Sequence, residues 1–143
     1  MAGINAKALQ QLKDLASYPL PLLEKLAANL SIRQLKKNKI IFEQDEDATL
    51  VYLLLSGVVK FFYLHSDEKQ TIVSLHPAGE FFGLDALTPQ SKHPFRCEAF
   101  ENCVVGVITP KSFIEILLGI PYEFPSVVYR DNAFRPKNVR PLH

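Results

Sequence analysis

Between residues 31 and 109 the chain is cut into short apolar runs by turn-forming residues, and no helical periodicity intervenes. Few folds accommodate that pattern. Residues 31–37 alternate loosely around Ile32 and Leu35, and 39–43 form a short β-branched and aromatic run. Strand-sized runs follow at 49–55, 58–65, 70–76, 95–101 and 103–108. The separators are Ser56-Gly57, Ser66-Asp67-Glu68-Lys69, Pro77-Ala78-Gly79 and Glu101-Asn102. Such residues supply positive φ angles or side-chain hydrogen bonds to a turning backbone. Runs this close must pair antiparallel, because a parallel crossover needs a dozen or more residues. The pattern predicts an antiparallel sandwich or roll and excludes a βαβ protein.

Helical spacing is confined to the two ends. Residues 6–16 place Leu9, Leu12 and Leu15 on one side, and Pro21 suits the first turn of a second helix carrying Leu22, Leu23, Leu26 and Leu30. Pro110 opens a closing helix with Phe113, Ile114, Ile116 and Leu117 as its apolar stripe, stopped by Gly119-Ile120-Pro121. A second helical attempt at 123–134 is weakened by Pro125, and the tail 135–143 holds Pro136 and Pro141. The expected architecture is all-β. It is an antiparallel double-stranded β-helix (a jelly-roll or cupin-like β-roll) over about residues 31–109, with helices over about 6–30 and 110–143, in one domain.

At 143 residues the chain can bury a core without metals or disulfides. A net charge of +1 gives no reason to expect non-specific phosphate binding. The first ten residues lack the basic and apolar regions of a secretory signal, and no run approaches a membrane span. Cys97 and Cys103 read as free thiols of a cytoplasmic protein, too few for a four-thiolate site.

Three stretches carry a more specific likeness. The first is Lys37-Asn38-Lys39-Ile40-Ile41-Phe42, followed by Tyr52 and then Leu55-Ser56-Gly57-Val58-Val59-Lys60. The second is Gly79-Glu80-Phe81-Phe82-Gly83-Leu84-Asp85-Ala86-Leu87. The third is His93-Pro94-Phe95, Ala99-Phe100-Glu101 and Val104-Val105-Gly106-Val107-Ile108, leading into Pro110 and Phe113. In this order and spacing, over roughly residues 7–120, the chain resembles the cyclic-nucleotide-binding-like sensor domain of CRP/FNR transcription regulators. Asn38 and Asp45 stand where the family commonly has glycine, and both tolerate the left-handed conformation better than other non-glycine residues.

The resemblance implies an effector pocket at the loop that follows Gly83 and at the strand that follows it, built from Gly83, Leu84, Asp85, Ala86, His93, Pro94 and Arg96. In nucleotide-binding members a glutamate there holds the ribose and an Arg-Ser or Arg-Thr pair holds the cyclic phosphate. Here Leu84 stands at the glutamate position and His93-Pro94 at the pair. Leucine accepts no hydroxyl proton, and proline offers neither a side-chain donor nor a backbone N–H. Asp85 is one residue late, and Arg96, three residues after His93, falls on the opposite face of a strand. Cyclic AMP or cyclic GMP is therefore not expected to bind in the family's manner, and no cofactor is assigned. The Gly-Leu-Asp-Ala pattern is more like FNR-type members, yet the cluster-binding cysteines of those members are missing from this N-terminus. Phe81, Phe82, Leu84 and Leu87 could line a pocket for an aromatic or haem-like ligand; core packing is the stronger reading.

The function implied is the effector-sensing half of a CRP/FNR-type regulator, truncated before its helix-turn-helix, with no base-reading element of its own. A small-molecule effector, a homodimer or a protein partner fits that role, and a membrane does not. Alternatives are a genuine stand-alone cyclic-nucleotide module, a degenerate roll that binds nothing, and a cupin-type enzyme. The last is disfavoured because His65, His76, His93 and His143 are scattered singly and read as surface or turn residues. The acidic run Glu43, Asp45, Glu46, Asp47 lacks calcium-loop spacing and reads as a solvated turn. Catalysis is not expected.

Overall fold

In the computed structural model, which describes residues 4–119, eight strands form two four-stranded antiparallel sheets with helical segments before and after them. The strands are β1 (Ser31–Leu35), β2 (Ile40–Phe42), β3 (Val51–Ser56), β4 (Val58–Leu64), β5 (Gln70–Pro77), β6 (Phe81–Phe82), β7 (Arg96–Ala99) and β8 (Cys103–Ile108). One sheet has the order β1-β8-β3-β6 and the other β2-β7-β4-β5. The expected antiparallel roll is thus what forms. β6 is a strand absent from the sequence pattern, which shows no strand-sized run at 77–94: Phe81 and Phe82 pair with Leu53 and Tyr52 of β3. Two residues are too few to show a period.

The turns obey the chemistry that predicted them. Asn38 and Asp45 have φ of 75° and 67°, the left-handed conformation that their side chains tolerate. Gly57, between β3 and β4, has φ of 94°, and a Cβ there would lie 2.5 Å from the carbonyl oxygen of Asn102. The acidic run folds back on itself: the Glu46 carboxylate accepts from the backbone N–H of Glu43 at 2.8 Å, and Asp47 pairs with Lys92 at 2.8 Å.

The leading helix departs from expectation. Residues 6–16 divide into α1 (Ala6–Gln10) and a 3-10 turn (Lys13–Leu15), followed by α2 (Leu20–Asn29). Leu9, Leu12 and Leu15 are three apart, and on a 3.6-residue helix that spacing drifts around the surface. The chain instead breaks at Leu12, which is extended with φ −83° and ψ 142°. The 3-10 turn that follows brings Leu15 back beside Leu9, both fully buried with Leu12 packed against their cluster. At the other end Thr109 caps α3 (Pro110–Phe113), accepting from the N–H of Ser112, and the chain continues as a π-helical turn (Ile114–Leu118). The helical attempt at 123–134 and the tail 135–143 lie outside the described residues.

Two apolar clusters result. Leu9, Leu15, Leu23 and Leu26 pack with Val51, Leu53, Phe81, Ile108 and Phe113 in a layer between the helices and the first sheet. Phe42, Tyr52, Leu54, Val59, Phe82, Cys97, Val105 and Val107 fill the space between the sheets. β3 alternates between the two, Val51 and Leu53 to one and Tyr52 and Leu54 to the other. Gly106 leaves room for Leu30, whose side chain a Cβ would meet at 3.0 Å.

Candidate functional site

The candidate loop is shaped by Gly83. Its φ of 73° turns the chain out of β6 into a 3-10 turn (Leu84–Leu87), and a Cβ would meet the Tyr52 ring at 2.8 Å. Backbone and aromatic ring therefore touch where the loop begins. Within the turn the side chains divide. Ala86 and Leu87 are buried in the helix-facing cluster, with Leu84 packed against it. Asp85 remains partly exposed and approaches His93, with Oδ2 3.5 Å from Nδ1 and no hydrogen bond made.

His93 is the buried centre of this region, contrary to the expectation that each histidine would lie in a surface turn. Its side chain is 2% exposed, and the ring stacks on Phe42 with centroids 3.6 Å apart and planes 12° from parallel. Its backbone is pinned on both sides, donating to the carbonyl of Glu46 at 2.9 Å and accepting from the N–H of Asp45 at 2.7 Å. The acidic turn thus holds the histidine in place. Nδ1 has no hydrogen-bond partner, a state it shares among the described residues with Thr88 Oγ1. Buried polar atoms are normally paired, so an orphan of this kind marks a place where a ligand or water would be stabilised.

The other candidates are not drawn in. Pro94 is exposed. Arg96 lies on the outer side of β7, with Nε 2.7 Å from Glu43 Oε1 and Nη1 3.7 Å from Glu98 Oε2. Its guanidinium also sits 5.5 Å from the centroid of Phe62. Cys97 and Ala99, one and three residues on, face the inner core, so strand parity separates Arg96 from His93 as the odd offset predicts.

Aromatic rings occupy the roll interior. Tyr52 stacks on Phe82 at 5.2 Å, and Phe42 meets Tyr52 at 5.7 Å and Phe61 edge-on at 5.9 Å. Burial pushes the Tyr52 phenol above its ordinary pKa, with Arg33 opposing. Phe81 and Phe82 are core residues, as the packing reading of that loop requires. Cys97 and Cys103 are free and buried, and burial raises both thiols, Cys97 the furthest.

A polar chain that sequence reasoning passed over lies on β5. Ser74 Oγ is 2.8 Å from Nε2 of His76, and Nδ1 of His76 is 2.7 Å from Glu80 Oε1. From sequence alone His76 reads as a single surface or turn residue. The available signal was the Ser-x-His spacing, which places both side chains on one strand face, together with a carboxylate four residues later. His65 is hydrogen-bonded separately, to Thr71 at 2.8 Å. Among the described residues no three metal-ligating side chains converge, and no helix is long and apolar enough to cross a membrane.

Residues 32–119, more than half of the chain, match the model of the family described as cyclic nucleotide-binding domain. The transcriptional activator protein Anr of Pseudomonas protegens is 32% identical over 89 residues, covering 62% of this chain and 36% of that protein. The anaerobic regulatory protein of Haemophilus influenzae is 28% identical over 87 residues, covering 61% of this chain and 33% of that protein. The match therefore spans about a third of the length of these curated relatives. Among solved structures, the sensor domain of the transcriptional regulator DNR from Pseudomonas aeruginosa superposes with a TM-score of 0.68 at 20% identity, covering 78% of this chain and 75% of that one. At that identity the likeness is one of fold.

Proposed function

Because the chain belongs to the cyclic nucleotide-binding domain family, in its CRP/FNR branch, we propose that it is an effector-sensing regulatory domain whose roll does not hold a cyclic nucleotide in the family's usual way. One observation carries this reading. The guanidinium nearest the candidate loop in sequence, that of Arg96, is committed to Glu43 and Glu98 on the outside of β7, and the interior it would have to enter is occupied by Phe42, Tyr52, Phe61 and Phe82. A cyclic phosphate needs a charge-assisted donor to replace its hydration, and Pro94 supplies none at the phosphate pair, while Leu84 accepts no ribose hydroxyl. The effector contact is instead proposed at Gly83, Asp85 and His93, where a carboxylate and an unpaired imidazole nitrogen meet behind a glycine turn. The ligand this favours is small and polar, able to bond both groups. Regulation of transcription, and any protein partner or second copy that would receive the signal, belong to the whole-length relatives and are proposed here as the destination of that signal.

Thermal unfolding with and without millimolar cyclic AMP or cyclic GMP tests the reading. A ligand at about 100 times its Kd stabilises a fold by about 2.7 kcal/mol, several degrees in Tm at this size. No shift is expected with either nucleotide. A clear shift would instead favour a cyclic-nucleotide module, with the partly exposed Asp85 supplying the missing carboxylate.

A further inference from the structure

Ser74, His76 and Glu80 form a hydrogen-bonded chain whose direction is set by its acidic end. An ionised carboxylate only accepts, so Glu80 at 2.7 Å requires the proton of a neutral His76 to sit on Nδ1. Nε2 is then the lone-pair nitrogen, and at 2.8 Å it accepts from the Ser74 hydroxyl. This is the order of roles by which a serine becomes a nucleophile: hydroxyl, base, and a group that orients the base.

The fold holds the three in place. Ser74 and His76 are alternate residues on one face of β5, and the His76 and Phe61 rings meet at a steep angle with centroids 4.9 Å apart. Glu80 is returned to the strand by the turn at Gly79, whose φ is 103°. It is fixed there because its carbonyl accepts from Leu54 N–H at 3.0 Å while Gly79 N–H donates to Leu54 at 2.8 Å. β5 is the edge strand of its sheet, so one flank of Ser74 is open. Opposite Phe61 and Phe62 the ladder passes from Ser74 directly to Ile72, leaving Val73 without a partner. The bulge sets an extra residue beside Ser74 and kinks the strand there.

We propose that Ser74 is an acyl-accepting nucleophile, activated by His76 with Glu80 as the positioning residue, and that its substrates are small activated carboxylic esters. Ser74 Oγ bonds to the ester carbonyl carbon as its proton passes to Nε2 of His76. The tetrahedral adduct then expels the alkoxide, which leaves as the alcohol with the proton from His76, and the acyl group remains on Ser74. This is independent of the effector reading, since none of the three residues belongs to the Gly83 loop or the His93 contact.

The test is acetylation of the full chain by p-nitrophenyl acetate, followed by intact mass and peptide mapping, with thermal melts run in parallel. One acetyl group per chain is expected, mapped to the peptide holding Ser74. Ser74→Ala should lose it, and Glu80→Gln should slow its formation on the order of a hundredfold at an unchanged melt. Acetyl groups on lysines with none on Ser74 would overturn the proposal, as would Glu80→Gln reacting at the wild-type rate. Should Ser74→Ala melt early, the mapped site in the unaltered chain and the Glu80→Gln rate decide the matter without it.

Discussion

Replacing His93 by phenylalanine asks whether the imidazole is there for stability. In the structure the ring contributes two opposing effects. Its stack on Phe42, at 3.6 Å, is worth about 0.5–1.5 kcal/mol beyond burial. Its unpaired Nδ1, inside a side chain only 2% exposed, costs about 1–3 kcal/mol in lost hydration. Phenylalanine keeps a flat ring against Phe42 and removes the orphan nitrogen, while its extra volume in a packed site costs roughly 1–3 kcal/mol. The last two effects offset one another, so His93→Phe should lie within about 1 kcal/mol of the parent. His93→Ala loses the stack and leaves a cavity, a loss of roughly 3 kcal/mol. The backbone bonds to Asp45 and Glu46 survive either change. Urea or thermal melts read the difference. At this chain length about 1 kcal/mol moves Tm by roughly 4 °C, so the alanine variant should melt about 10 °C lower and the phenylalanine variant within a few degrees. If His93→Phe fell as far as His93→Ala, Nδ1 would have a bonding partner, and the assignment of His93 to effector recognition would lose its physical basis.

Gly57→Ala and Gly119→Ala form a second pair, since both glycines have positive φ but a Cβ meets Asn102 at 2.5 Å at Gly57, whereas at Gly119 it meets none of the described residues within 4 Å. The conformational cost of about 1 kcal/mol is common to both, the clash adds roughly 2 kcal/mol at Gly57, and equal melts by circular dichroism would contradict the hairpin geometry. At Asp14, burial and then the Glu80 carboxylate raise the pKa above its ordinary 3.8, with Lys13 opposing. The native state therefore holds that proton more readily than the unfolded chain, and the ionised form weakens the fold above the native pKa. Asp14→Asn should accordingly raise Tm slightly at pH 7, with the gain vanishing as pH falls through the native value toward 3.8; a gain that grows in acid would refute the sign.

The strands were legible because their boundaries are chemical. Ser56-Gly57, 66–69 and Pro77-Ala78-Gly79 mark turns whatever the rest of the chain does, and Asn38 and Asp45 adopt the left-handed backbone their side chains tolerate. β6 was not legible, because Phe81 and Phe82 are extended only through pairing with β3, nearly thirty residues earlier. The same limit governed the site. Strand parity put Arg96 on the outer face, but its partner Glu43 comes from a different turn. The burial of His93 could not be read locally either, since the ring it stacks on belongs to Phe42. Alternation alone aligned Ser74 with His76, whereas Glu80 joins them only because Gly79 reverses the chain. Side-chain chemistry could be read wherever its partners are near in sequence, and was lost wherever a tertiary contact supplies them.

β3 serves as a party wall. Val51 and Leu53 are fully buried against the helices, while Tyr52 and Leu54 are buried against the opposite sheet, so the strand has no face left for solvent. Neither apolar cluster can loosen without shifting a strand on which the other depends. Helices and roll should therefore melt in one transition. A disturbance at the Gly83 loop, which bears directly on the Tyr52 ring, has only one strand thickness to cross before it reaches the helical layer.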